Sequence, residues 1–140
     1  MSGKTWLMTG AISAALAVTA GAFGAHKLQG DVEARKLEPR MLDVFETAAK
    51  YQMYHALALV AVGLVAAQAL RSNMALSIAG WAFLTGTILF SGSLYALVFS
   101  GIRWLGAITP LGGVAFILGW IALAVAAFGA LGKPPTTLGD

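Results

Sequence analysis

Apolar residues occur along this chain in four long runs separated by polar segments. The runs cover residues 6–25, 51–70, 75–100 and 110–131, and none of them contains Asp, Glu, Lys or Arg. Each is long enough to cross a hydrocarbon layer about 30 Å thick, which requires about 20 apolar helical residues. Strands of a barrel would alternate in polarity over about 10 residues, and no run does so. The pattern predicts an all-α integral membrane bundle of four transmembrane helices, forming a single domain over residues 1–140.

The composition agrees with a membrane protein and excludes several other classes. Hydrophobic residues make up 59% of the chain and charged residues 11%, whereas a soluble domain has roughly 25% charged residues. The net charge of +3 comes from Lys and Arg at the ends of the runs rather than along one face, so we expect the lipid bilayer and no nucleic acid as a partner. Because the chain has no cysteine, disulfides, thiolate metal sites and cysteine nucleophiles are excluded.

The first apolar run has an alternative interpretation. Lys4, followed by apolar residues and the small residues Ala20, Gly21 and Ala22, could be a secretory signal peptide. The apolar part of a signal peptide is usually about 7 to 15 residues long, whereas here about 20 residues pass without a charge. We therefore favour a retained first helix.

Most charges lie in the segment 26–50, between the first two runs. It contains ten of the fifteen charged residues, five basic and five acidic. Pro39 suits the first turn of a helix, and apolar residues recur at helical spacing beyond it. The pattern predicts a second helix that is continuous from Pro39 to Leu70 and begins as an amphipathic interfacial segment outside the membrane. Because its positive and negative charges alternate, this segment is a poor site for anionic lipid, and we discount lipid recognition by it.

The basic residues also bear on orientation. Four spans place both termini on one side, where three basic residues lie, and six lie on the other. The first set is Lys4, Arg71 and Lys133, and the second is Lys27, Arg35, Lys36, Arg40, Lys50 and Arg103. The excess predicts that the segment 26–50 is cytoplasmic and that the termini are outside. Lys4 beside the first span argues for the opposite orientation, because the first helix often dominates.

Polar residues of the spans concentrate toward the end of the bundle that carries the charged segment. Since successive spans run in opposite directions, these residues should approach one another. The predicted polar cluster contains His26, Glu46, Lys50, Gln52, His55, Ser91, Ser93, Tyr95 and Thr109. Imidazole can ligate haem iron or relay protons. We favour simpler roles: hydration of His26 at the boundary, a hydrogen bond of His55 to a neighbouring helix or to a carbonyl, and an ion pair between Glu46 and Lys50.

Small residues predict close approach between helices. Ser13, Ala17 and Gly21 recur at four-residue spacing in the first run, and the pair Gly112 and Gly113 follows Pro110 in the fourth. Such stripes let another helix approach closely. We favour packing within the bundle over a homodimer seam.

Tryptophans and one turn complete the predicted architecture. Trp6 and Trp104 lie near span ends and are expected as interfacial anchors, whereas Trp120 lies near the middle of the fourth span and should pack inside the bundle. Residues 71–73 predict a tight turn into the third span.

The sequence carries no recognised catalytic set: it has no phosphate-binding loop, no HExxH and no GxSxG. We expect no metal and no resident cofactor, and an enzyme is the least favoured class. A structural or accessory membrane component, with a membrane-protein partner or as a homo-oligomer, is favoured because the spans are uncharged and rich in small residues. The alternatives are a small transporter or channel with a polar site around His55, and a haem or quinone anchor.

Five blocks of sequence resemble the YgdD/YwdK-type family of small four-span membrane proteins, over nearly the whole chain. They are Gly21-Ala22-Phe23-Gly24-Ala25-His26, Phe45-Glu46-Thr47-Ala48 with Tyr51-Gln52 and His55-Ala56-Leu57-Ala58-Leu59, Phe90-Ser91-Gly92-Ser93-Leu94-Tyr95, Ile108-Thr109-Pro110-Leu111-Gly112-Gly113, and Gly119-Trp120. The resemblance implies a four-helix inner-membrane protein of bacteria. It implies no established activity, and it carries over these residues as a family signature without roles.

Overall fold

The computed structural model describes residues 1–68 and 74–131, and the described chain is a bundle of four long helices. They are α1 (Gly3–Glu33), α2 (Pro39–Gln68), α3 (Met74–Ser100) and α4 (Thr109–Leu131), with a short 3-10 helix, Arg103–Ala107, before α4. By length and composition, four helical stretches are able to cross a membrane, the fourth consisting of that 3-10 turn and most of α4. The predicted all-α membrane bundle is confirmed.

Two predictions concern residues that the structure does not describe. The tight turn at residues 71–73 and the last two residues of the second span, 69–70, lie outside the described ranges.

The first helix continues well past the predicted span and ends in a capped turn. Lys36 N–H donates to the Asp31 carbonyl at 2.8 Å and Arg35 N–H donates to the Val32 carbonyl at 2.9 Å, the hydrogen-bond pair of a Schellman motif. Arg35 occupies the left-handed position of this motif with φ of 56°, where glycine is usual. The segment 26–50 is therefore largely helical, and only residues 34–38 connect α1 to α2.

The predicted amphipathic start of α2 is present. The helix begins at Pro39, and its inward face carries Phe45, Ala48 and Gln52, all buried. Lys50 is exposed on the opposite surface. Helical spacing thus identified the buried face correctly, although Phe45 and Ala48 lie before the uncharged run 51–70.

The helices pack in chain order. The main contacts join α1 to α2, α2 to α3, and α3 to α4, so α2 and α3 form the centre of the bundle and α1 and α4 its edges. Two apolar clusters of the described residues lie between them: one includes Trp6, Leu59, Val62, Phe83 and Phe116, and the other includes Leu28, Leu42, Phe45, Leu97 and Val98.

Trp6 was expected at the headgroups, and that expectation is wrong. The side chain is only 1% exposed and meets Trp81 edge to face, with 5.5 Å between ring centroids. Gly80 makes room for it, because a Cβ at Gly80 would lie 2.5 Å from the indole ring. Because Gly80 has no side chain, the surface of α3 leaves the space that the indole occupies in the core.

The close approach of α1 to α2 depends on glycines that were not among those predicted. A Cβ on Gly63 would lie 2.5 Å from the Leu7 backbone nitrogen, and one on Gly10 would lie 2.7 Å from the Ala56 carbonyl oxygen. The α1–α2 contact therefore requires glycine on both helices. Gly21, in contrast, has no atom within 4 Å of an added Cβ.

Three of the remaining predicted packing residues do contact another helix, and one does not. Ala17 is buried, and Ser13 lies on the same face of α1. A Cβ on Gly112 would lie 2.5 Å from the Phe90 nitrogen, so α4 meets α3 backbone to backbone. A Cβ on Gly113 would meet nothing within 4 Å. Gly113, like Gly21, lies on the side of its helix that faces away from the neighbour.

Candidate functional site

A buried glutamine connects three helices. Gln52, on α2 and 8% exposed, donates from Nε2 to the Ser13 carbonyl of α1 at 3.1 Å. Its Oε1 accepts a hydrogen bond from the Tyr95 hydroxyl of α3 at 2.9 Å. The amide is thereby fixed in one orientation, because only the nitrogen can donate and only the oxygen can accept. Through these two hydrogen bonds, Gln52 connects α1 and α3 within the polar cluster.

His55 lies one turn further along α2, and both of its ring nitrogens are occupied. Nδ1 is 2.8 Å from the Tyr51 carbonyl oxygen, and Nε2 is 3.3 Å from the indole nitrogen of Trp120 on α4. A carbonyl can only accept and an indole N–H can only donate, so Nδ1 carries the proton and Nε2 carries the lone pair. The geometry therefore specifies one tautomer of a neutral imidazole.

Aromatic rings enclose this imidazole. The ring of Phe116 stacks on it with 3.3 Å between centroids and 2° between planes, and Phe83 lies at 5.7 Å. His55 is 5% exposed. Trp120, expected inside the bundle, meets that expectation in part: its N–H points to His55 and its ring packs on Phe83, but the residue is 48% exposed.

A third link joins α3 to α4. The hydroxyls of Ser93 and Thr109 are 3.0 Å apart, and Ser93 also donates to the Phe90 carbonyl at 3.0 Å. Ser93 directly follows a π-helical turn, Ile88–Gly92, in which one extra residue widens the helix. Gly112 of α4 packs against the backbone of this turn. The turn and the hydroxyl pair together form the α3–α4 contact at this end of the bundle.

Ser91, in the same π-helical turn, behaves differently. Its residue is 1% exposed, and its hydroxyl makes no hydrogen bond within the described part of the chain. A buried hydroxyl without a partner destabilises the folded state by about 1–3 kcal/mol. Ser91 thus lies near the linked residues without contributing a link.

Three predicted members of the cluster are elsewhere. His26 is exposed, because Gly24 and Leu28 are the buried positions of its helical turn and a residue two positions away from both points to the opposite side. Lys50 Nζ and Glu46 Oε2 form the predicted ion pair at 3.1 Å, with side chains 60% and 44% exposed. That pair lies on the outer surface of α2, and pairs of this kind contribute little.

The structure adds residues that sequence reasoning had not placed in the cluster. Ser13 was predicted as a small packing residue, yet its backbone carbonyl is the acceptor for Gln52. Phe116 carries no polar signal, and only the fold reveals its stacking on His55. A periodicity argument could have found Trp120, which lies eleven residues, about three helical turns, after the predicted member Thr109 and therefore on the same face of α4.

The arrangement limits the chemistry available to the histidine. A metal or haem iron would need the Nε2 lone pair, which here accepts the Trp120 N–H. Among residues 1–68 and 74–131, no group of three His, Cys, Asp or Glu side chains lies close enough to hold a metal ion. In the structure, Gln52, His55 and Ser93 of the cluster join helices to one another.

Comparison with known proteins identifies relatives over most of the chain. The family described as "Protein of unknown function (DUF423)" matches residues 20–113. The UPF0382 membrane protein YwdK of Bacillus subtilis is 49% identical over 124 residues, covering 89% of this chain and 96% of YwdK. The UPF0382 membrane protein SAB0533 of Staphylococcus aureus is 47% identical over 125 residues, again covering 89% of this chain and 96% of the relative. No solved structure matches the chain. The resemblance read from the five sequence blocks is therefore confirmed, and the chain belongs to the DUF423 family of membrane proteins of unknown function.

Proposed function

We propose that this protein is a structural or accessory component of the bacterial inner membrane, acting without catalysis through a membrane-protein partner or as a homo-oligomer. One observation carries the proposal: three of the four buried polar residues in the described spans join helices to one another. Gln52 joins α1, α2 and α3, His55 joins α2 to α4, and Ser93 joins α3 to α4.

This use of the polar groups argues against a transport site at His55. A proton or solute site in a membrane needs a group that can exchange its partner during the cycle. Both His55 nitrogens already have partners, and the ring is stacked on Phe116. To release the lone pair of His55, Trp120 would have to move away.

The test is reconstitution of the full chain in liposomes loaded with a pH-sensitive dye. Proton flux under an imposed pH gradient should equal that of protein-free liposomes, for the wild type and for His55→Phe. A flux that requires the wild-type protein and is lost in His55→Phe would contradict the proposal and favour the transporter. Purification in a mild detergent should then yield either a homo-oligomer or a second membrane protein at fixed stoichiometry, and a lone monomer would count against the accessory role.

The proposal includes an orientation, with the loop between α1 and α2 in the cytoplasm and the termini outside. It rests on the excess of basic residues on the loop side. In the fold, Arg103 and Arg40 line one groove, so both interhelical loops of that side contribute to the count. A fluorescent protein that matures only in the cytoplasm should be dark when fused to the C-terminus and bright when inserted between α1 and α2. The reverse pattern would invert the orientation.

A further inference from the structure

A groove of about 180 Å³ lies at the end of the bundle that carries the α1–α2 and α3–α4 loops, between the start of α2 and the end of α3. Its floor is apolar and includes Met41, Val44 and Leu97. Two arginines line it: Arg40 comes from the first turn of α2, and Arg103 comes from the 3-10 turn before α4. Two basic side chains that are 63 residues apart in sequence are thus brought to one depression.

Neither arginine forms an ion pair with another residue of the described ranges. The salt bridges formed among the described residues join Lys27 to Asp31 and Lys50 to Glu46, and neither arginine takes part. Glu38 also lines the groove, so its lining carries two positive charges and one negative charge. The positive end of the α2 dipole lies at Arg40 and adds to the excess. The groove therefore favours a ligand with a single negative charge.

A second, larger groove adjoins the first. It has a volume of about 410 Å³, shares Arg40 and Val44 with the smaller groove, and is lined further along by Phe90 and Leu94 of α3. Its charged members are Arg40 and Asp43. An apolar surface thus leads from the two arginines alongside α3 in the direction of the membrane interior.

We propose that the paired grooves bind one anionic phospholipid, with its phosphodiester between Arg40 and Arg103 and its acyl chains along Val44, Phe90 and Leu94. Guanidinium groups match phosphate oxygens with two parallel hydrogen bonds each. The site lies at the end of a membrane span, which is the depth at which lipid headgroups lie. The smaller groove has the volume of about six water molecules, which admits a phosphodiester but not an entire lipid, so the chains must follow the larger groove.

The order of residues along the chain does not reveal this site. Read along the segment 26–50, Arg40 lies between Glu38 and Asp43, and the mixed charge predicts poor binding of anionic lipid. The fold supplies Arg103 from a different loop, and it is this addition that gives the smaller groove its positive excess.

The test is native mass spectrometry of the full chain, purified in a neutral detergent and titrated with phosphatidylglycerol or with phosphatidylcholine of the same acyl chains. One molecule of phosphatidylglycerol should bind per chain. Its affinity should be at least tenfold higher than that of phosphatidylcholine. Arg40→Gln and Arg103→Gln should each weaken phosphatidylglycerol binding about tenfold, the effect of losing a charged hydrogen bond. Arg40→Lys keeps the charge but loses the paired geometry, so its loss should be smaller. Lys36→Gln, a matched change on an exposed residue that lines neither groove, should leave binding unchanged.

A fifth variant tests the sign of the electrostatics. Glu38→Gln removes the opposing charge and should tighten phosphatidylglycerol binding, whereas no tightening would contradict the charge argument. Equal affinity for the two lipids, or equal losses in Lys36→Gln and Arg40→Gln, would overturn the proposal. Inorganic phosphate at millimolar concentration should not displace the lipid; displacement would show an anion site rather than a lipid site. Circular dichroism and size-exclusion profiles identical to the wild type confirm that each variant is folded.

Discussion

The hydrogen bond between Gln52 and Tyr95 gives the sharpest test of the view that the polar cluster joins helices. Tyr95→Phe removes one hydroxyl and leaves the ring packed against Phe45, at 4.9 Å between centroids. Gln52→Leu removes the same bond and also the bond to the Ser13 carbonyl. Interhelical hydrogen bonds in membrane proteins contribute about 0.6 kcal/mol on average and up to about 1.7 kcal/mol.

These magnitudes predict a specific pattern in a double-mutant cycle. Tyr95→Phe should lower the free energy of unfolding by about 0.6–1.7 kcal/mol, and Gln52→Leu should lower it more, by about 1–3 kcal/mol, because two bonds are lost. The double variant should be less destabilised than the sum of the two, with a coupling of about 0.6–1.7 kcal/mol, since each single change removes the same bond.

The assay is equilibrium unfolding in mixed micelles, followed by circular dichroism and by tryptophan fluorescence. Thr19→Ala is the matched control, because the Thr19 hydroxyl donates to the Ala15 carbonyl of its own helix at 3.0 Å and connects nothing else. It should change the free energy of unfolding by less than about 0.5 kcal/mol. Purely additive effects of Gln52→Leu and Tyr95→Phe, or a Thr19→Ala effect of equal size, would refute the reasoning.

Three further predictions use the same unfolding assay. Gly63→Ala should destabilise by about 1–3 kcal/mol, since the new Cβ meets backbone, whereas Gly21→Ala meets nothing and should be neutral or stabilising by up to about 1 kcal/mol; equal effects would contradict the packing assignment. Ser91→Ala should stabilise by about 1 kcal/mol because it removes an unpaired buried hydroxyl, while Ser93→Ala should destabilise by about 0.6 kcal/mol, and loss of stability in Ser91→Ala would show that this hydroxyl has a partner. Arg35→Gly should raise stability by about 1 kcal/mol because it relieves a left-handed conformation, and a fall would contradict the cap assignment.

The sequence predicted the helices well because lipid imposes a strong constraint on composition. Long uncharged runs have one stable solution in a bilayer, and the helical spacing of Phe45, Ala48 and Gln52 further identified the buried face of α2. The helix ends were harder to predict, since α1 continues to Glu33 through a charged segment whose local ion pairs are not visible in the apolar pattern. Lys27 and Asp31, four residues apart, illustrate this with a 2.8 Å ion pair.

The candidate site was predicted only in part, because membership depends on how each helix is rotated about its axis. Depth in the membrane can be counted along the chain, and this placed Gln52, Tyr95, Ser93 and Thr109 in one cluster, whereas the structure shows which of them pair. Rotation cannot be counted in the same way, and His26 at a suitable depth faces outward.

Close contacts between helices were the least predictable feature. Gly21 and Gly63 look alike in sequence, yet only Gly63 faces the neighbouring backbone. The difference depends on how two helices fit against each other. One segment of sequence does not carry that information.

The central claim is that His55 is a neutral, doubly hydrogen-bonded residue that joins α2 to α4. Solid-state NMR of the ¹⁵N-histidine-labelled protein in lipid at neutral pH tests it most directly, with the two signals assigned by comparison with a His26→Gln sample. The account predicts a protonated Nδ1 and an unprotonated Nε2 for His55, with a through-space contact from Nε2 to the indole proton of Trp120. A protonated Nε2, an imidazolium, or no contact with Trp120 would contradict it.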